Sequence, residues 1–169
     1  MVEPLPTFEQ VLELMRSPKP PIACRVVELD GRTARRTAAV LFDGLQGWYI
    51  DDGARVEVRS SDESVLFDSE GNLQRVGPSV GSVHSNGWVK TLIEPRRMSL
   101  DRATCRVLRR DTLDERPTLV IEALGLREGG DVNFKMQVDV ATGLVMAMSR
   151  ANLGLVLRVE GLRIGSIES

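Results

Sequence analysis

The chain has 169 residues, 42% of them hydrophobic and 27% charged, which is the composition of an ordinary globular protein. Twenty-two basic residues against 24 acidic ones leave a formal charge of −2, so no global basic field exists to hold nucleic acid. One histidine and two cysteines exclude an all-histidine or cysteine-rich metal site and leave little for histidine-dependent catalysis.

The N-terminus, MVEPLPTFEQ, has no basic region followed by an apolar run and a small-residue cleavage site. No stretch approaches a membrane span. The expectation is a cytoplasmic chain as given, exported if a native signal segment was removed. Cys24 and Cys105 form no CxxC pair and are expected to be small buried hydrophobes, with a long-range disulfide as the lesser alternative.

The first element is a helix. Thr7 is a plausible N-cap with Gln10 three residues on, and Phe8, Val11, Leu12 and Met15 follow at helical spacing. Pro18, Pro20 and Pro21 then stop it, which predicts a helix over 8–17.

From Ile22 the period becomes two. Strands are expected at 22–30, 32–43, 47–51, 55–59, 64–68 and 73–76, punctuated by Asp30-Gly31, Asp43-Gly44, Asp52-Gly53 and Glu70-Gly71-Asn72. Residues 77–87 are rich in Gly and Ser and read as a long irregular loop. A short helix is expected at 88–93, ended by Pro95. Strand 104–111 should pair with 117–126 across a 112–116 loop, and 128–131 should connect to a strand over 132–140. Thr142-Gly143 turns into 144–152, and 154–164 ends the series. Gly161 interrupts that last strand and predicts a bulge, after which Leu162 and Ile164 take the apolar parity.

The fold class is mainly β with one or two short helices (α+β). About ten or eleven strands form a curved antiparallel meander, since open sheets of that size rarely stay flat. A half-barrel or full barrel follows, with the N-terminal helix on the concave side and residues 1–169 as a single domain.

Three stretches carry a resemblance. They are FDGLQGWY at 42–49, RVLRRDTLDERP at 106–117 and VDVATGL at 138–144. In this order, after a short helix and a first hairpin, the chain resembles the LolA/LolB–LppX–RseB superfamily of lipoprotein-carrier-like half-barrels. The resemblance implies a non-enzymatic module that holds a lipid or other hydrophobic ligand in the concave face. The alternative is a protein-interaction or regulatory module of the RseB-like type with no small-molecule ligand.

The residues leave each candidate site with two readings. Val132, Phe134, Met136 and Val138, with Leu144, Met146 and Met148, fall on one strand face and line either a hydrophobic cavity or a packed core. Arg32, Arg35 and Arg36 form an anion or partner patch, or a solvated face paired with acidic neighbours. Further arginines cluster at 96–97 and at Arg106, Arg109 and Arg110. His84 reads as a loop residue, and Asp43, Asp51 and Asp52 as turn formers. No nucleophile–base pair, metal-ligand spacing, phosphate loop or cofactor motif is present, so neither enzyme activity nor a cofactor is expected. Neither are catalytic or metal-binding residues.

Overall fold

Among the described residues, eleven strands pair into one open antiparallel sheet. The computed structural model describes residues 3–44, 47–59, 63–78, 89, 92, 103–127, 130–150 and 155–165. Helix α1 spans Phe8–Arg16. The strands are β1 (Ile22–Asp30), β2 (Thr33–Phe42), β3 (Trp48–Asp51), β4 (Arg55–Arg59), β5 (Glu63–Asp68), β6 (Leu73–Pro78), β7 (Ala103–Leu113), β8 (Arg116–Arg127), β9 (Gly130–Asp139), β10 (Val145–Arg150) and β11 (Leu155–Ile164).

Sheet order is β6-β5-β4-β3-β2-β1-β11-β10-β9-β8-β7. Two meanders, β1–β6 and β7–β11, are therefore joined through β1 and β11, which lie side by side in the middle. The connection from β6 to β7 links the two outer edges. Within it Val89 and Leu92 are helical and fully buried in the core. The rest of the expected 88–93 helix, the loop with His84, and Arg96 and Arg97 lie outside the described residues.

α1 follows its sequence signals. The Thr7 hydroxyl accepts from the Gln10 amide, and the Gln10 side chain accepts from the Thr7 amide at 2.9 Å. Two backbone donors that the helix cannot satisfy are thus bonded. Nine residues are too few for a helix to be stable alone. Packing holds it: Val11 and Met15 are buried against the concave face, and Phe8 and Leu12 pack beside them. Each fully buried side chain of this size contributes about 1.5–3 kcal/mol.

Alternation selects the concave face. Val26, Ala38, Val40, Ile50, Ile121, Met136, Val138 and Val159 all enter one buried cluster. Phe42 and Trp48, opposite each other on β2 and β3, stack with ring centroids 4.4 Å apart. A buried acid, Glu57, shares that face on β4, opposite Ile50 and Leu66.

Bulges bend the sheet and shift its parity. Gly161 is one, at φ +60°: Gly161 and Leu162 of β11 face the single residue Cys24 of β1 there. Leu162 then packs against the core as expected, whereas Ile164 is exposed. The β7–β8 connection is tighter than its sequence suggests. Thr112 pairs with Pro117 and Leu113 with Arg116, leaving a turn of only Asp114 and Glu115, both left-handed at φ 50° and 64°. No Gly or Asn marks that turn, so sequence chemistry gave no sign that the expected 112–116 loop shrinks to two residues. Its tip reaches back across two strands, where Asp114 accepts from Arg158 of β11 at 2.7 Å.

The convex face is less uniformly polar than alternation implied. Leu41, Tyr49, Val58, Val65 and Val76 sit opposite one another on five successive strands, and all but Val65 are exposed.

Candidate functional site

The site is built around α1, which covers the concave cluster and is held differently at its two ends. The C-terminal end rests on a braced turn between β9 and β10. Asp139 ends β9 with its carboxylate fully buried. Arg116, the first residue of β8, reaches it through two parallel bonds, Nε to Oδ1 and Nη2 to Oδ2, each 2.9 Å. The Thr142 amide and hydroxyl donate to Oδ2 at 3.0 and 2.6 Å, and the Leu144 amide donates to the Thr142 hydroxyl at 3.2 Å. Burial pushes the Asp139 carboxyl pKa up, but the bonds from Arg116 and Thr142 outweigh it and hold the group below the usual carboxylate range. The bond to Asp139 raises the Arg116 guanidinium in turn. The Arg-Pro and Val-Asp-Val-Ala-Thr-Gly-Leu stretches are thus two halves of one hydrogen-bonded unit.

That unit sets a seat for the helix. Gly143 is left-handed at φ +73°, and a Cβ there would overlap the Leu14 carbonyl of α1. Only glycine lets the turn approach so closely. Lys19 completes the end, its ammonium donating to the Leu14 and Ser17 carbonyls, each at 3.0 Å. The Leu14 carbonyl also accepts from the Ser17 amide and hydroxyl, at 3.2 and 2.6 Å. Burial lowers the Lys19 pKa from 10.5 to about 8. The turn after β2 closes from the other side, since a Cβ on Gly44 would lie 2.7 Å from the Lys19 carbonyl.

The other end of α1 opens on a cleft of about 510 Å³. Its floor is Val11 and Leu119, both members of the buried cluster. Leu5, Leu14 and Val140 add apolar wall, and Leu5 and Val140 are exposed. Arg110 of β7 stands at the rim. It donates to the Pro4 carbonyl at 3.1 Å and lies 3.9 Å from the Glu3 carboxylate, so the chain before α1 is tied across the cleft. Arg110 is 106 residues from Pro4, and no local pattern links them.

Most of the seven residues expected to line a ligand cavity gather under α1. Met136, Val138, Leu144, Met146 and Met148 are buried in the core cluster, and Phe134 packs against it. Met146 enters through a bulge that also brings Val145 into the core. Val132 lies on β9 opposite Gly125, and its side chain is outside the described residues. Val140, the last residue of the strand expected over 132–140, lies beyond β9 and lines the cleft.

The arginine patch sits at the end of the β1–β2 hairpin. A bulge leaves Arg35 as an extra residue on β2. Glu28 consequently meets two consecutive arginines, Arg36 at 2.8 Å and Arg35 at 3.9 Å. Arg32, in the turn, is exposed. On β7, Arg106 pairs with Glu122 at 2.7 Å and Arg109 with Asp111 at 3.7 Å.

The turn aspartates bond backbone amides: Asp43 that of Gly47, Asp51 that of Gly53, and Asp52 those of Ala54 and Arg55. Cys24 and Cys105 are free and stand on strands five places apart in the sheet, so the disulfide alternative is excluded. Burial pushes the Cys24 thiol up to about 12 and raises that of Cys105. Among the described residues, no three of His, Cys, Asp and Glu gather as a metal site. No helix there is long and apolar enough to cross a membrane.

No protein-family model matches the chain, and no curated protein matches it in sequence. Solved structures do. The chain is similar to MucB, at 13% identity and a TM-score of 0.59, over 95% of this chain and 60% of that one. It is similar in the same way to a chain of the MucA/MucB complex from Pseudomonas aeruginosa, at 13% identity and a TM-score of 0.53, over 95% of this chain and 56% of that one. A LolA superfamily protein from Nitrosomonas europaea aligns over 97% of this chain and 96% of its own, at 13% identity and a TM-score of 0.43. The chain therefore spans about 60% of the length of MucB, and over that stretch it has the same, RseB-like fold that its motifs resemble.

Proposed function

We propose that residues 1–169 form a single non-enzymatic binding module that holds a lipid or other hydrophobic ligand between α1 and the concave face. The observation that carries this reading is the cleft beside α1, whose floor residues Val11 and Leu119 also belong to the buried cluster. A ligand enters over Leu119 and lodges along β9 from Val132 and Phe134 to Met136 and Val138. Leu144, Met146 and Met148 complete the bed. Methionine suits this use because its unbranched, polarizable side chain repacks around different shapes. α1 parts from the sheet at its open end and stays seated at Gly143.

Native mass spectrometry after mild purification tests the reading. A stoichiometric nonpolar ligand is expected, with occupancy reduced in Leu14→Trp, which fills the cleft and leaves the core untouched. A chain that carries no ligand and takes up no nonpolar probe overturns it.

A second reading is a protein partner, and the likeness to MucB, which is solved in complex with MucA, favours it. Arg32, Arg35 and Arg36 then present an exposed cationic surface to an acidic peptide. Binding of such a peptide should weaken at high salt and fail in an Arg32→Ala, Arg35→Ala variant. Binding that ignores both changes removes the patch from consideration.

A further inference from the structure

We infer that the cleft beside α1 takes the anionic head of a single-chain amphiphile, with Arg110 as its counter-ion. This rests on the lipid-binding reading and names the ligand class.

The cleft is amphiphilic by construction. Its floor and one wall are apolar, and Leu5 and Val140 leave 43% and 38% of their surface to water. Its rim carries a guanidinium, and that placement depends on a bulge. Val107 pairs with Ile121 and Arg109 with Val120, so Leu108 is an extra residue on β7. Without it, strict alternation would put Arg110 on the same face as Arg106, which pairs with Glu122 on the convex side. With it, Arg110 pairs with Leu119 and stands on the face that lines the cleft. Bulges re-aim side chains in this way beside binding sites.

The partners of Arg110 are ones an anion displaces. One is the Pro4 carbonyl at 3.1 Å, and the other is Glu3 at 3.9 Å, whose side chain is 84% exposed. A carboxylate or phosphate offers the guanidinium two parallel charged bonds instead. A hydrophilic anion alone would leave the apolar wall wet, and a neutral chain would leave Arg110 on a backbone carbonyl. One molecule with both parts satisfies both walls. At about 510 Å³ the cleft falls in the lower half of the range that small-ligand sites occupy, which favours one chain over two.

The test is calorimetry on the full chain with tetradecanoate, tetradecyl phosphate and tetradecanol, each below its micelle concentration. At least one anion should bind about tenfold tighter than the alcohol. Which anion does so separates a fatty-acid head from a phosphate head. Arg110→Gln should abolish the preference and keep the affinity for the alcohol. Glu3→Gln should tighten anion binding, because it removes a competing carboxylate. Arg106→Gln, on the convex face, should change nothing. The inference falls if wild type binds the alcohol as well as both anions, or if the preference survives Arg110→Gln; the lipid-binding reading survives either result. If none of the three binds, both fall.

Discussion

The two ends of α1 meet the same sheet by opposite means. At the C-terminal end a buried carboxylate, a bidentate arginine and a left-handed glycine fix the turn on which Leu14 sits. At the N-terminal end a half-exposed arginine bonds one backbone carbonyl across a cleft. Buried charges must be paired and hydrogen-bonded, so the first arrangement is stiff. The second is screened by water and readily exchanged. α1 is thus fixed at one end and weakly tied at the other.

The largest expected effect is on the anchor. Asp139→Ala leaves Arg116 without its carboxylate and frees Thr142, and should cost about 3–5 kcal/mol in denaturant unfolding. A loss under about 1 kcal/mol would show that the brace is ornamental. Gly143→Ala should cost about 2 kcal/mol or more, from the left-handed backbone plus the overlap with Leu14. Gly31→Ala is its control, since Gly31 has a similar φ of +61° and nothing within 4 Å of an added Cβ. Equal losses at the two sites would mean that Gly143 is a turn residue and not a seat. Hydrogen exchange in α1 should rise only for the Gly143 variant.

Lys19 gives a pH signature. Its folded pKa, about 8, lies below the ordinary 10.5, so between those values the native state binds fewer protons than the unfolded chain. Stability should therefore rise with pH across that window, relative to a Lys19→Met variant. Below about pH 8 the difference should be flat. A fall in that window would show that the ammonium is held as a favourable cap rather than strained by burial. The smallest effect belongs to the loose end. Arg110→Ala should change stability by less than about 0.5 kcal/mol. A loss of 2 kcal/mol there would abolish the contrast between the ends.

Much of the frame was legible. The capping box of α1, the strand order of each meander and the bulge at Gly161 all follow from local chemistry. What local chemistry does not carry is which strands distant in sequence become neighbours. Alternation says which face a residue takes and is silent about what lies beside it, so the pairing of β1 with β11 left no mark. The Arg116–Asp139 brace was invisible for the same reason, although both halves lay in stretches singled out by resemblance. Bulges hide more, because one extra residue reverses every later assignment. Arg110 reads as an outer-face arginine until Leu108 is counted. The loop at 112–116 was legible but its two-residue length was not, because Asp114 tolerates the left-handed backbone whereas Glu115 is of a type that rarely adopts it.

The side-by-side placement of β1 and β11 bears on how the chain folds. Each meander grows by hairpins between neighbours in sequence, a cheap and fast process. Their union instead requires Ile22 to find Ile164. That step closes the longest loop in the sheet, and its entropy must be spent before the central ladder gives anything back. Synthesis delivers β11 last of the eleven strands, so until it emerges the nascent chain holds two unjoined strand stacks with open edges. That interval is when this molecule is most exposed to pairing with the wrong strand.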